Sequence, residues 1–271
     1  MLIFGIMKKV VLLIILAAVL FWDTAAQQLP DSVFTKAGFI TSIDSEHLGQ
    51  TRRLFIHLPV DYDSVNEFPL VIVLDGEASF KAFASATELM NWQKLIPSCI
   101  VVGIPNVDRN LDYAPYIERI PNSGNAEKMI AFYRDELFPF LESRYNIGTK
   151  ILWGHSFVGF FTVYVMLEEP GLFDAYLATS PVFRFMDQVF DPETMFDKVA
   201  DRDIRFYMSL GGEELVGDAT KNFALRLESD APESLIWEIS VKPDKNHDSN
   251  AIIGYMDGLE FIFREPAQKK D

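Results

Sequence analysis

The sequence predicts an α/β protein whose mostly parallel central sheet is covered by helices on both faces and starts with an antiparallel hairpin. Short apolar runs that are typical of buried strands recur along the chain, and helical patterns separate them. Two further stretches flank a turn at residues 47–49. No repeat or linker interrupts the pattern, so residues 27–271 are expected to form a single domain.

Each strand is predicted from its own apolar pattern. The hairpin consists of Phe39–Ile43 and Arg52–Leu58, because apolar residues alternate along the second stretch. The buried strands of the parallel sheet are predicted at Leu70–Leu74, Cys99–Gly103, Ile151–Trp153, Ala175–Ala178, Phe206–Leu210 and Leu235–Val241.

The helices are predicted from apolar residues spaced three and four apart. The clearest pattern covers Asn125–Tyr145, where Pro139 is expected to bend or break the helix because proline lacks an N–H. The other helices are predicted at Phe80–Asn91, Phe157–Glu168, Ala219–Ser229 and Asn250–Phe263.

The amino terminus has the pattern of a secretory signal. Lys8 and Lys9 precede the apolar run Val10–Trp22, which is shorter than the roughly 20 residues needed to span a bilayer. The small residues Thr24–Ala26 then suit a cleavage site. The sequence therefore predicts a cleavable signal over residues 1–26, a secreted or periplasmic protein, and no stable membrane span after cleavage. An uncleaved anchor is the alternative.

Charge and cysteine content exclude several functions. The formal net charge of −15 argues against nucleic-acid binding, which needs an excess of Lys and Arg. Cys99 is the only cysteine, so an internal disulfide and a cysteine-based zinc cluster are excluded. Its place in an apolar run predicts an inert core residue.

Ser156 is the candidate nucleophile. The segment Gly154-His155-Ser156-Phe157-Val158-Gly159 follows a predicted buried strand and precedes a predicted helix. That context belongs to the nucleophile elbow, G-x-S-x-G, although here Val occupies the place of the second glycine. A helix-capping serine in an ordinary turn is the alternative.

His247 is the candidate base, because it follows the last apolar run and the order serine, acid, histidine is typical of this fold class. The candidate acid is Glu214, which follows Gly211-Gly212 at the end of a predicted strand. Glu213, Asp218 and Asp244 remain alternatives.

Further residues are candidates for binding the substrate. The Phe157 N–H, at a helix start, and the Gly76 or Glu77 N–H, after another strand, are expected to donate to an oxyanion. Arg109 lies in a polar loop at the same sheet edge and is either a ligand for an anionic or hydroxylated substrate or the partner of Asp108 or Asp112.

The stretches "FPLVIVLDGE", "NVDRNLDYAP", "ILWGHSFVGFF" and "MSLGGEE" together resemble the esterase family of α/β-hydrolases that includes enterochelin-type siderophore esterases, esterase D and feruloyl or acetyl-xylan esterases. The resemblance covers about Arg52 to Phe263. It implies an α/β-hydrolase fold and a serine esterase that needs no metal or cofactor. It departs from the family at Val158, where glycine is usual, which puts activity in question.

The sequence therefore predicts an exported hydrolase that cleaves a small-molecule ester, either a siderophore or an acylated carbohydrate, with no nucleic-acid partner. Two alternatives stay open: a catalytically silent ligand-binding protein, for which Val158 is the reason, and an acyltransferase that uses the same three residues. The apolar segment Phe183–Phe196 is predicted as either a cap over the site or a satellite core.

Overall fold

The computed structural model describes residues 35–212 and 217–264. Its strands are β1 Phe39–Ser45, β2 Gln50–His57, β3 Phe68–Val73, β4 Ile100–Gly103, β5 Ile147–His155, β6 Ala175–Thr179, β7 Ile204–Gly211 and β8 Leu235–Lys242. Its α-helices are α1 Gly76–Trp92, α2 Arg109–Tyr113, α3 Ala126–Phe132, α4 Phe138–Glu142, α5 Phe157–Glu168, α6 Met186–Val189, α7 Asp218–Asp230 and α8 Asn250–Phe263. The predicted signal over residues 1–26 lies outside the described residues.

The strands form one mixed sheet in the order β1-β2-β4-β3-β5-β6-β7-β8. The β1–β2 and β2–β4 pairs are antiparallel, and the remaining pairs are parallel. This confirms the predicted hairpin and the predicted mostly parallel sheet. Because β3 to β8 run in one direction, the loops that follow β3, β5, β7 and β8 meet at the same sheet edge.

Helices cover both faces of the sheet, which explains why the central strands are apolar without alternation. Leu70 and Ile72 of β3 pack into one buried cluster together with α5. Val71 and Val73 pack into a second cluster with α1 and α8 on the other face. Within the part of the chain that the structure describes, no helix is long and apolar enough to cross a membrane.

The helical pattern over Asn125–Tyr145 divides into three pieces. Helix α3 is followed by one π-helical turn at Tyr133–Leu137 and then by α4. The Phe138 N–H donates to the Tyr133 carbonyl oxygen, five residues back. Pro139 has no N–H with which to continue an α-helical ladder at the next position. The break expected at Pro139 is therefore confirmed, and it takes the form of a wider turn.

The Phe183–Phe196 segment and Cys99 both lie in the hydrophobic core. Phe183, Phe185, Met186, Phe190, Met195 and Phe196 are all at least nine-tenths buried in the larger cluster. The Phe183–Phe196 segment is therefore part of the main core and forms neither a separate satellite cluster nor an open cap. Cys99 is buried as predicted, and burial raises the pKa of its thiol to about 12.

Candidate active site

The Ser156 hydroxyl lies beside an imidazole at the carboxyl edge of the sheet. Ser156 stands between β5 and α5 with φ 61° and ψ −120°, a backbone conformation that is strained for any residue but glycine. Its N–H donates to the Thr179 carbonyl oxygen at 2.9 Å. Its Oγ is 2.8 Å from His247 Nε2, and among the described residues it makes no capping hydrogen bond to α5. The helix-cap alternative is therefore wrong.

The elbow keeps glycine at the two positions where backbones approach closely. A Cβ on Gly154 would stand 2.2 Å from the Val158 carbonyl oxygen, and one on Gly159 would stand 3.1 Å from the Thr179 carbonyl oxygen. Val158, by contrast, lies in the first turn of α5 with right-handed backbone, and its side chain is fully buried. Position 158 therefore needs no glycine here, which removes the reason to doubt the elbow.

A chain of buried hydrogen bonds holds the loop that carries His247. Ser209 Oγ donates to Asn250 Oδ1 at 2.6 Å, and Asn250 Nδ2 donates to Ser180 Oγ at 2.9 Å. Ser180 Oγ in turn donates to the His247 carbonyl oxygen at 3.3 Å. None of these three residues is predicted from the sequence. The available signal is a pair of serines near the carboxyl ends of β6 and β7 and an asparagine at the start of the last helix.

The acid of the predicted triad is not identified by the structure. Glu213 and Glu214 lie outside the described residues, so their assignment stays a prediction. Asp218 begins α7, and the exposed Asp244 carboxylate pairs with Lys245 Nζ at 2.6 Å. That ammonium lowers the pKa of Asp244 through a side-chain hydrogen bond.

The Gly76 N–H, one of the predicted oxyanion donors, is hydrogen-bonded within the fold. Its N–H donates to the Ile104 carbonyl oxygen at 2.9 Å, and a Cβ there would stand 2.7 Å from the Ile104 nitrogen. Glycine is therefore needed for close packing, and the prediction that its N–H serves the site is wrong. The neighbouring Glu77 and Phe157 N–H groups lie in the first turns of α1 and α5, where helical N–H groups have no intrahelical acceptor.

Arg109 pairs with Asp75, which is not among its predicted partners. Its Nε and Nη2 donate to the two oxygens of the Asp75 carboxylate at 2.9 and 2.8 Å. Asp108 instead caps α2, and Asp112 pairs with Arg52. The predicted partners Asp108 and Asp112 are therefore wrong.

Asp75 and Glu77 hold the loop before α2 against the start of α1. Asn106 Nδ2 donates to Asp75 at 2.6 Å and to Glu77 Oε1 at 2.8 Å, and the Asn106 N–H donates to Glu77 Oε2 at 3.0 Å. The Arg109 guanidinium carbon is 5.5 Å from the Phe157 ring centroid. These contacts place a cation beside the residue that follows the serine.

A cavity of about 470 Å³ opens over Ser156 and Phe157. Arg109, Arg119 and Arg184 all line it. Arg109 is neutralised by the Asp75 carboxylate, so the exposed Arg119 and Arg184 supply the positive charge at the cavity.

Fold and site together define an α/β-hydrolase with a serine–histidine pair at the turn after its central strand. The chain belongs to the family described as "Putative esterase", whose model matches residues 45–242.

Proteins similar to this chain include esterases of siderophores. Ferri-bacillibactin esterase BesA of Bacillus subtilis is 25% identical over 166 residues, which cover 52% of this chain and 57% of BesA. The siderophore enterobactin esterase of Emericella nidulans is 36% identical over 139 residues, which cover 41% of this chain and 45% of that protein. The matches thus span about half the length of these two relatives.

Solved structures extend the likeness over most of the fold. An IroE-like serine hydrolase from Shewanella oneidensis matches with a TM-score of 0.74 at 27% identity, and the match covers 83% of this chain and 79% of that one. This agreement supports the α/β-hydrolase architecture over nearly the whole described part of the chain.

Proposed function

We propose that the protein hydrolyses carboxylic esters through an acyl-enzyme on Ser156. The observation that carries the proposal is the 2.8 Å contact between Ser156 Oγ and His247 Nε2 at a strained backbone position. Strain of this kind persists where the surrounding structure holds a reactive group in place. A neutral imidazole in hydrogen-bond contact with a serine hydroxyl can remove its proton during attack.

The proposed reaction has two steps, acylation of Ser156 and hydrolysis of the acyl-enzyme. Ser156 Oγ bonds to the ester carbonyl carbon while its proton passes to His247 Nε2, and the oxyanion accepts hydrogen bonds from the Phe157 and Glu77 N–H groups. The alcohol then leaves with the proton from His247. Water attacks the acyl-enzyme, gives a proton to His247, and releases the carboxylic acid as Ser156 regains its proton. Glu214 is proposed to orient the imidazole.

The substrate class that we propose is an anionic ester of the siderophore type. The exposed Arg119 and Arg184 at the cavity support the anionic character. The esterases similar to this chain are named for ferri-bacillibactin and enterobactin, which supports the siderophore class. An acylated carbohydrate would need hydroxyl recognition, for which guanidinium groups are less suited than for anions.

Labelling with a fluorophosphonate probe tests the reaction. The wild-type protein should be labelled on Ser156 and should hydrolyse p-nitrophenyl acetate, and Ser156→Ala should lose both properties. Ser143→Ala is the matched control, because Ser143 is exposed at the end of α4. A wild-type protein that is not labelled and does not hydrolyse the ester would contradict the proposal. Products that form on an added alcohol in place of water would instead favour acyl transfer.

Export is a second part of the proposal and rests on residues 1–26 alone. A cell that expresses the full chain should release a protein whose first residue is Gln27. Amino-terminal sequencing of the extracellular or periplasmic fraction measures this. A chain that keeps its first 26 residues in the membrane fraction would favour the uncleaved anchor.

A further inference from the structure

A second histidine lies against the catalytic pair. The rings of His155 and His247 have centroids 4.8 Å apart and are inclined by 49°. Asp248 follows His247 directly and is exposed. One donor atom from each of these three residues lies within 4.8 Å of the other two. Two imidazoles and a carboxylate that converge in this way are a donor set for a divalent transition metal.

Contacts with Thr179 fix the orientation of the His155 ring. Its Nδ1 is 3.1 Å from the Thr179 carbonyl oxygen and 3.3 Å from Thr179 Oγ1. A carbonyl oxygen only accepts, so we assign the proton of the neutral ring to Nδ1 and the lone pair to Nε2. Histidines that bind metals commonly donate the other ring N–H to a backbone carbonyl in this manner, which fixes the tautomer and the ring orientation.

We propose that His155, His247 and Asp248 form a reversible inhibitory site for a divalent transition metal, with Zn²⁺ as the best fit. Zinc binds imidazole nitrogen and carboxylate oxygen at about 2.0–2.2 Å and imposes little geometric demand of its own. Because Asp248 is exposed, its side chain can rotate to close the remaining distance. Water would complete a four-coordinate ion.

We expect a bound ion to inhibit hydrolysis because the His247 imidazole would serve both as the base and as a metal ligand. This expectation rests on the proposed function. In hydrolysis, His247 needs its Nε2 lone pair for the Ser156 proton, whereas a bound ion takes up a lone pair of the same ring. Coordination through Nε2 would remove the base directly. Nδ1 is not the donor, because in the catalytic tautomer it carries the proton and Glu214 is proposed to hold that side of the ring. Mg²⁺, which prefers oxygen ligands, should not compete for the site.

Zinc titration of ester hydrolysis tests the inhibition. The full chain without an affinity tag should lose p-nitrophenyl acetate hydrolysis as Zn²⁺ is added, keep it in Mg²⁺, and regain it with EDTA. His155→Asn keeps a side-chain N–H donor but removes an imidazole, and it should raise the half-inhibitory Zn²⁺ concentration by roughly tenfold or more. His47→Asn is the matched control, since His47 pairs with Asp135 in the hairpin turn and should leave inhibition unchanged.

Metal binding without catalysis separates this proposal from the esterase proposal. Ser156→Ala retains both histidines, and calorimetry should show one Zn²⁺ bound per chain. The double variant with His155→Asn should lose that binding by a comparable factor. Binding in Ser156→Ala would support the metal site even if the wild-type protein hydrolysed no ester. Hydrolysis that Zn²⁺ does not inhibit, inhibition that EDTA does not reverse, or equal inhibition of His155→Asn and wild type would overturn it.

Discussion

Arg52 and Asp112 form a fully buried ion pair, with Nη1 2.7 Å from Oδ2. Arg52 Nη2 also donates to the Pro105 carbonyl oxygen at 3.1 Å, so one guanidinium ties down both ends of the segment that carries Asn106 and Arg109. Burial alone would lower the pKa of Arg52, but nearby Tyr113 and Asp112 reverse the effect, so its pKa is raised and the pair stays charged. The Arg52–Asp112 pair therefore fixes the segment that presents the Arg109 guanidinium to the active site.

Loss of that pair should be costly. Arg52→Met leaves the Asp112 carboxylate buried without its partner, so we expect the free energy of unfolding to fall by about 3–5 kcal/mol. Urea denaturation measures the change. The double variant Arg52→Met/Asp112→Leu removes both charges and should recover much of the loss. A change below about 1 kcal/mol in Arg52→Met would contradict this account.

Asn250 should act on the rate through His247 without contacting substrate. Asn250→Leu cuts the hydrogen-bond chain that ends at the His247 carbonyl oxygen, and a small displacement of the base lowers the rate steeply. We expect kcat to fall about 10–100-fold while KM changes little. Steady-state kinetics and the rate of fluorophosphonate labelling measure the effect. Asn222→Ala, on the exposed face of α7, is the control, and a KM effect alone in Asn250→Leu would refute the positioning role.

Val158 should matter for stability and not for chemistry. Val158→Gly restores the residue usual in the family but deletes a fully buried side chain and places glycine within α5. We expect the protein to lose about 2–4 kcal/mol of stability. At a temperature where both proteins are folded, kcat should agree within about twofold. A large gain in kcat would show that valine impairs the elbow.

We expect the arginines that line the cavity to favour anionic esters over neutral ones. Arg184→Gln should lower kcat/KM for an anionic ester by up to about fivefold, because an exposed charge–charge contact at the cavity is lost, and should leave the neutral p-nitrophenyl acetate unchanged. Rising salt should weaken the preference of the wild-type protein for the anionic ester. Arg226→Gln on α7 is the control, since Arg226 pairs with Asp230. Equal losses on both esters would point to a structural role.

Cys99 should resist alkylation in the native protein. With a pKa of about 12, its thiol is almost wholly protonated at pH 8, and only the thiolate reacts with iodoacetamide. In urea the ordinary pKa returns and labelling should be complete. Because the native pKa lies above the unfolded one, the unfolded chain releases this proton first, so stability should fall as pH rises above about 9. Equal labelling rates in buffer and urea would contradict this prediction.

The strands, most helices and the serine–histidine pair could be predicted from the sequence, because periodicity and the elbow motif are local signals. Contacts that depend on how distant loops meet were not accessible. The partners predicted for Arg109, as the alternative to a substrate, were acids near it in the chain, whereas the sheet brings it to Asp75. The use of the Gly76 N–H by Ile104 likewise follows from the adjacency of β3 and β4, which no spacing along the chain reveals.

The strained backbone at Ser156 has a consequence for how this protein can change. A residue at φ 61° and ψ −120° costs of order 1–3 kcal/mol, and glycine at that position would relieve the cost while deleting the hydroxyl. Thermal stability and turnover therefore oppose each other at one residue. Variants selected for heat resistance alone should accumulate substitutions there, and a library screened without an activity assay would drift toward well-folded but inert proteins.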